Sequence, residues 1–182
     1  MKRLLVIMAV MLIVGGMVSV VIAVDTDTMT LTVTAISAID VTIQPTTYNF
    51  GTVALNSTSI STTSTAVKNT SSTSIETYTL RVSADGTGWT IADSTGGDSK
   101  VRIQAIWNTT KPTDITDSTD YNLNTAGKTC NGTLFAGTET HDGWKEDPGD
   151  EEDLWFKLWT PEKSGSVGAK TFYLTITAAL SG

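Results

Sequence analysis

The residues with the clearest capacity for chemistry lie in one acidic stretch of the sequence, from Glu139 to Asp153. This stretch holds eight acidic residues and one lysine. Carboxylate oxygens are hard ligands, and calcium takes six to eight such oxygens in flexible geometry. A Pro-Gly pair at residues 148–149 turns the chain, so that several carboxylates can converge. The candidate calcium ligands are Asp147, Asp150 and Asp153.

The alternative for this stretch is a solvated loop whose like charges repel one another. Its spacing lacks the ligand order of an EF-hand and the glutamate at position twelve of that loop. Calcium binding is therefore expected to be weak, and no other cofactor is expected.

A second candidate site is the segment DLWFKLWTP, residues 153–161. In a strand, Trp155 and Trp159 would lie on one face about 13 Å apart, at roughly 3.3 Å per residue. Flat aromatic side chains on an exposed sandwich face bind sugar rings in many carbohydrate-binding modules, which makes polysaccharide a candidate ligand. The alternative is a central strand whose tryptophans are buried under the N-terminal strand or under a long insertion.

Enzymatic chemistry is not expected from this sequence. The chain has one histidine, His141, and one cysteine, Cys130. No Gly-x-Ser-x-Gly sequence supplies a nucleophile for His141, and one His with one Cys does not make a zinc site of the His and Cys type. A single cysteine forms no intrachain disulfide. We therefore expect Cys130 to be a small buried residue in a core that holds the domain together unaided.

The N-terminus has the layout of a secretory signal peptide. Lys2 and Arg3 precede a long apolar run, and Val21-Ile22-Ala23 offers small residues for a signal peptidase. We predict a signal peptide over residues 1–23. An uncleaved membrane anchor is the alternative, because about 20 apolar residues are enough to span a bilayer. In both cases the rest of the chain is secreted or lies at the cell surface.

The charge of the exported chain excludes one class of partner. Without Lys2 and Arg3 it carries ten basic and 19 acidic residues, a formal charge of −9. Phosphate backbones repel such a chain, so nucleic acid is not expected to bind.

Alternation of apolar and polar residues dominates the chain after residue 28. TMTLTVTAI (28–36), ETYTLRVS (76–83), VRIQAIWN (101–108) and KTFYLTITA (170–178) all show it, and β-branched residues are abundant. We predict an all-β fold: a single antiparallel immunoglobulin-like or jelly-roll-like β-sandwich of about nine strands over residues 39–182, preceded by a strand segment at residues 24–38. The predicted interior residues are Leu80, Ile103, Phe156, Leu158, Leu174 and Ile176.

The first half of the predicted sandwich resembles immunoglobulin-like domains of the ASH (Hydin-related) type. Those domains carry a Phe-Gly-x-Val strand followed by a strand that ends in Val-x-Asn. The matching residues here are Phe50, Gly51, Val53, Val67 and Asn69. The layout of a signal peptide, an N-terminal strand and a sandwich also resembles secreted matrix-fibre subunits of the TasA and camelysin type. Both resemblances imply scaffolding or partner binding.

These observations favour a secreted or cell-surface structural or interaction protein. Its expected partners are copies of itself or other surface proteins, and it would meet the membrane only through an uncleaved N-terminal segment. The strand at residues 28–36 can add to the sheet edge of a neighbouring copy and build a filament. It can instead fold back and cap the edge of its own domain. A carbohydrate-binding module that uses Trp155 and Trp159 is the alternative function.

Overall fold

The computed structural model describes residues 32–33, 38–86, 88–93 and 97–182. The chain divides into two compact units, Met1–Ala35 and Ile36–Gly182, and nearly all described residues belong to the second. The predicted signal peptide and most of the predicted strand segment, residues 24–38, lie outside the described residues. Within the described ranges, no helix has the length and apolarity needed to cross a bilayer.

The second unit is an all-β sandwich of two sheets, which confirms the predicted fold class. Its strands are β1 (Val41–Gln44), β2 (Thr58–Ile60), β3 (Thr65–Asn69), β4 (Glu76–Ala84), β5 (Thr90–Ile91), β6 (Lys100–Trp107), β7 (Lys128–Thr129), β8 (Trp144–Glu146), β9 (Glu151–Trp159) and β10 (Phe172–Leu180). One 3-10 helix, Thr119–Tyr121, interrupts the loop between β6 and β7.

The first sheet is built around β9, the segment that contains Trp155 and Trp159. The strand order is β1-β3-β9-β6-β5, and β2 pairs with the second half of β9 beyond the end of β3. β6 pairs with β9 from Arg102↔Trp159 to Trp107↔Leu154. β9 is therefore a central strand with neighbours on both sides.

The second sheet has the order β10-β4-β7, and β8 also pairs with β4. β4 and β10 form a continuous nine-residue antiparallel ladder from Phe172↔Ala84 to Leu180↔Glu76. β7 and β8 share the opposite side of β4, with two paired residues each.

The core lies between the two sheets, where the alternation of each long strand places its apolar residues. β6 and β9 point Ile103, Phe156 and Leu158 inward, and β4 and β10 point Leu80 and Ile176 toward them. All of these side chains are buried, and Leu174 is partly buried against the same cluster. The predicted interior face of β9 is therefore the observed one. Cys130 is buried in this core, and burial raises the pKa of its thiol to about 12.

Two local features differ from the sequence-based prediction. The β5–β6 pair is parallel, although a wholly antiparallel sandwich was expected. β5 has only two residues, and the eight residues 92–99 connect it to β6. Residues 47–54, which include the Phe-Gly-x-Val match, form no strand: Gly51 has a φ of +70° and donates its N–H to Asn49 Oδ1 at 2.8 Å.

Candidate functional site

The tryptophan face of β9 is covered by the loop between β6 and β7. Trp155 is only 7% exposed, and its Nε1 donates to the Asn108 carbonyl at 2.7 Å. Ile115, in the middle of the loop, is completely buried. Trp159 is half-buried and donates its Nε1 to Gln104 Oε1 at 3.0 Å. A long polar insertion therefore supplies the layer that one of the two sequence-based alternatives required.

Two cationic side chains, Arg102 and Lys157, lie against the Trp159 ring. The Arg102 guanidinium lies 4.2 Å from the ring centroid, and the Lys157 ammonium lies 4.5 Å from it. The covering loop neutralises both cations. Arg102 pairs with Asp117, and Lys157 pairs with Asp114 at 2.5 Å. The two tryptophans therefore do not form the exposed platform that the carbohydrate-binding alternative requires.

The acidic stretch folds into a compact cluster around two buried glutamates, Glu146 and Glu152. Glu146 ends β8, and Glu152 lies on the interior face of β9, in phase with Leu154. The Gly143 N–H donates to both, to Glu146 Oε1 at 2.8 Å and to Glu152 Oε2 at 3.0 Å. The His141 N–H donates to Glu152 Oε1 at 2.7 Å. The loop from β7 to β8 is thus closed onto the start of β9 by these carboxylates.

His141 and Asp150 complete this cluster. His141 Nδ1 lies 2.9 Å from Asp150 Oδ2 and 3.9 Å from Glu146 Oε2. His, Cys, Asp and Glu side chains can hold a metal ion where three or more of their ligand atoms lie close together. Among the described residues there is one such group, whose ligand atoms all lie within 4.8 Å of one another: His141, Glu146 and Asp150. We call these three residues the His-Glu-Asp cluster.

Asn69, a buried asparagine of β3, holds the backbone at Glu146 and Asp150 by hydrogen bonds. Asn69 Nδ2 donates to the Glu146 carbonyl at 3.0 Å, and the Asn69 N–H donates to the Asp150 carbonyl at 2.9 Å. The Asp150 N–H closes a turn on the Asp147 carbonyl at 3.0 Å. Both carboxylate-bearing residues are therefore held by one completely buried side chain and its strand.

Burial and mutual repulsion oppose ionisation in this cluster. Burial, together with the neighbouring Glu152 carboxylate, raises the pKa of Glu146 well above its usual range. Burial also raises the pKa of Glu139 and of Asp142, and Glu152 adds to both effects. The site therefore concentrates carboxylates where their negative charge is poorly solvated.

Two pockets connect the cluster with solvent. One of about 170 Å³ is polar and is lined by His141, Asp150 and Glu152 among others. The other, of about 470 Å³, is also lined by His141 and includes the exposed side chain of Trp144. An ion can reach His141 and Asp150 through the smaller pocket.

The three carboxylates predicted to bind calcium have different surroundings in the structure. Asp150 belongs to the His-Glu-Asp cluster. Asp147 lies beside it and donates its N–H to Asp150 Oδ2 at 3.0 Å. The Asp153 N–H donates to Glu139 Oε1 at 3.1 Å, and Asp153 lies on the opposite face of β9 from Glu152. The structure thus brings one of the three to the cluster, together with Glu146 from the same acidic stretch and with His141, which was not predicted as a metal ligand.

The structure offers a further candidate site, the outer edge of β10. Among the described residues, this nine-residue strand pairs only with β4. Its sequence, FYLTITAAL, contains no charged residue and no proline. The other outer strands, β1, β5, β7 and β8, have at most four residues each. Among the strands that the structure describes, β10 is therefore the longest edge strand, and such an edge can accept another strand.

The direction in which each N–H and C=O group of β10 points follows from the hydrogen bonds at the two ends of the β4–β10 ladder. The Ser181 N–H donates to the Ile75 carbonyl, and the Asp85 N–H donates to the Thr171 carbonyl. Hydrogen-bonded and non-hydrogen-bonded pairs alternate in an antiparallel ladder, so the odd-numbered residues of β10 bond to β4. In agreement, the Tyr78 N–H, opposite Ala178, points away from β10 and donates to the Gly143 carbonyl. The residues that direct their N–H and C=O groups to the open edge are Phe172, Leu174, Ile176, Ala178 and Leu180.

Comparison with protein-family models finds no family that matches this chain, and comparison with curated proteins finds no match.

Proposed function

We propose that this chain is a secreted or cell-surface structural protein that assembles by β-strand addition. In this account, residues 28–36 of one copy pair with the open edge of β10 in the next copy. A head-to-tail contact of this kind need not close, so repetition builds a filament or a matrix. The observation that supports the proposal best is the long, uncharged edge of β10, which has no partner strand among the described residues.

The chemistry of the edge supports a strand as its partner. Five residues of β10 present five N–H and five C=O groups outward. Proteins that stay monomeric protect such edges with charges, prolines, bulges or a covering segment. β10 has neither charge nor proline, and its register with β4 is free of bulges. An added strand would satisfy the backbone groups along its whole length.

Residues 28–36 have the properties that such an added strand needs. The segment is nine residues long, as β10 is, and its threonines alternate with apolar residues. The side chain of Val33, one of its two described residues, is 89% exposed. Burial of this apolar row against a neighbour would stabilise the contact at about 25 cal/mol per Å².

The position of Asp40, where the chain enters the sandwich, favours pairing between copies over pairing within one chain. The Asp40 N–H donates to Glu76 Oε1 at 2.8 Å, and Glu76 is the register partner of Leu180. A segment that folded back from this point onto its own β10 would run parallel to it. Between copies the direction is free, and antiparallel pairing is slightly more stable per residue.

Truncation tests this function. We expect the chain that begins at Val24 to form filaments and the chain that begins at Ile39 to remain monomeric, because the second lacks the donor strand. Sedimentation velocity and negative-stain electron microscopy of both chains measure this directly. A longer chain that is monomeric but markedly more stable than the truncated one would show that the segment caps its own edge. If both chains are monomeric and equally stable, the segment neither assembles copies nor caps its own edge. Either of these two results would contradict the proposal.

A further inference from the structure

We propose that the His-Glu-Asp cluster is a binding site for a first-row divalent metal ion of the zinc type. Its protein ligands would be His141 Nδ1, Glu146 Oε2 and Asp150 Oδ2. This inference is independent of strand addition, because it concerns the opposite side of β4 from β10. It also assigns a role to the one histidine of the chain.

A buried carboxylate oxygen without a hydrogen-bond partner among the described residues distinguishes this cluster from an ordinary group of acidic residues. Glu146 is completely buried, and its Oε2 has no hydrogen-bond partner among the described residues. That oxygen lies 3.9 Å from His141 Nδ1, a buried atom that also faces Asp150 Oδ2 at 2.9 Å. A buried carboxylate oxygen without a partner is costly, and a cation placed between these atoms would satisfy it.

The ligand set favours zinc over calcium. Imidazole nitrogen is a good ligand for zinc and its neighbours in the first row, whereas calcium prefers a shell made of oxygens. Zinc sites combine His nitrogen with Asp or Glu oxygen at about 2.0–2.2 Å, and an open position holds water. The separations of His141 Nδ1 from Asp150 Oδ2, 2.9 Å, and from Glu146 Oε2, 3.9 Å, lie on either side of the roughly 3.4 Å that a tetrahedral site with bonds of that length requires. Counting only His and Cys as zinc ligands in the sequence therefore missed this site.

The surroundings hold the ligands in place and leave a path for the ion. Asn69 fixes the backbones of Glu146 and Asp150 through two hydrogen bonds. Glu152 accepts from the His141 N–H, which ties the histidine to β9. Such supporting contacts orient metal ligands, and their loss typically reduces affinity 10–100-fold. The polar pocket of about 170 Å³ opens onto His141 and Asp150.

The test is a titration of the chain that begins at Val24, freed of metal by a chelator, with Zn²⁺ alone. We expect one Zn²⁺ to bind per chain and the unfolding temperature to rise, because the ion binds the folded state only. Asp150→Asn should weaken the binding by at least about tenfold. The matched control is Asp153→Asn, which removes the same charge three residues away and should change the affinity by less than about twofold, since that carboxylate is not a ligand.

Three results would overturn the inference. Equal loss of affinity in both variants would show that zinc responds only to the net charge of the loop. Tighter binding of Ca²⁺ than of Zn²⁺ would show that the histidine is not a ligand. Absence of saturable Zn²⁺ binding, with a Glu146→Gln chain at least as stable as the unmodified metal-free chain, would show that a proton shared with Glu152 satisfies the buried oxygen instead.

Discussion

Ala178→Pro is expected to weaken filament formation strongly while leaving the sandwich folded. The Ala178 N–H points to the open edge of β10, so proline removes no bond to β4. At the edge it removes one donor, and its ring occupies the space of the incoming strand, which is how natural sheets prevent edge pairing. Loss of one hydrogen bond alone costs about 1 kcal/mol, and about 1.4 kcal/mol corresponds to tenfold in affinity. The concentration needed for assembly should rise at least about tenfold.

Ala179→Pro is the matched control, because the side chain is the same and the position differs by one residue. The Ala179 N–H bonds to β4 opposite Thr77. Proline there leaves the Thr77 carbonyl without its donor, at a cost of about 1–3 kcal/mol to the folded monomer. Urea unfolding and sedimentation velocity separate the two effects. If Ala178→Pro chains assembled as readily as the unmodified chain, the edge of β10 would not be the assembly surface.

Phe156→Ala should reduce the free energy of unfolding by about 3–5 kcal/mol, the usual cost of removing a buried phenylalanine. Phe156 lies in the core cluster, on the interior face of the central strand β9. A domain of this size is stable by only about 5–15 kcal/mol, so much of its stability would be lost. Urea unfolding of the chain that begins at Ile39 measures the change without a contribution from assembly.

Tyr173→Ala is the control for that measurement, since it removes an aromatic ring that is 57% exposed on the outer face of β10. Substitutions at exposed positions usually change stability by less than about 0.5 kcal/mol. A loss below about 1 kcal/mol for Phe156→Ala would mean that the register of β9 differs from the one described, because a shift by one residue exchanges the two faces of a strand.

The long strands were predictable from the sequence because their faces differ in polarity. Alternation in residues 76–83, 101–108 and 170–178 indicated both the strands and their interior residues, and β4, β6 and β10 follow it closely. The strand neighbours were not predictable, since alternation defines faces and not pairing partners. Strands of two or three residues, such as β7 and β8, carry too few residues to show any period.

The sites were harder to predict for a different reason. The loop over Trp155 is polar in composition, and its aspartates matter because β6 and β9 place Arg102 and Lys157 beneath them, a contact across distant segments. Glu152 did carry a signal, because it is in phase with Leu154 and Phe156 on the interior face of β9. Its convergence with Glu146 depends on the fold of the loop between β7 and β8.

Residue-resolved amide hydrogen exchange along β10 tests strand addition most directly. We predict that the N–H groups of the even-numbered residues, such as Leu174 and Ile176, exchange slowly in filaments of the chain that begins at Val24. In the chain that begins at Ile39 they should exchange quickly, while the odd-numbered N–H groups bonded to β4 stay protected in both. If the even-numbered N–H groups exchange at the same rate in both chains, no strand is added to β10 and the account is contradicted.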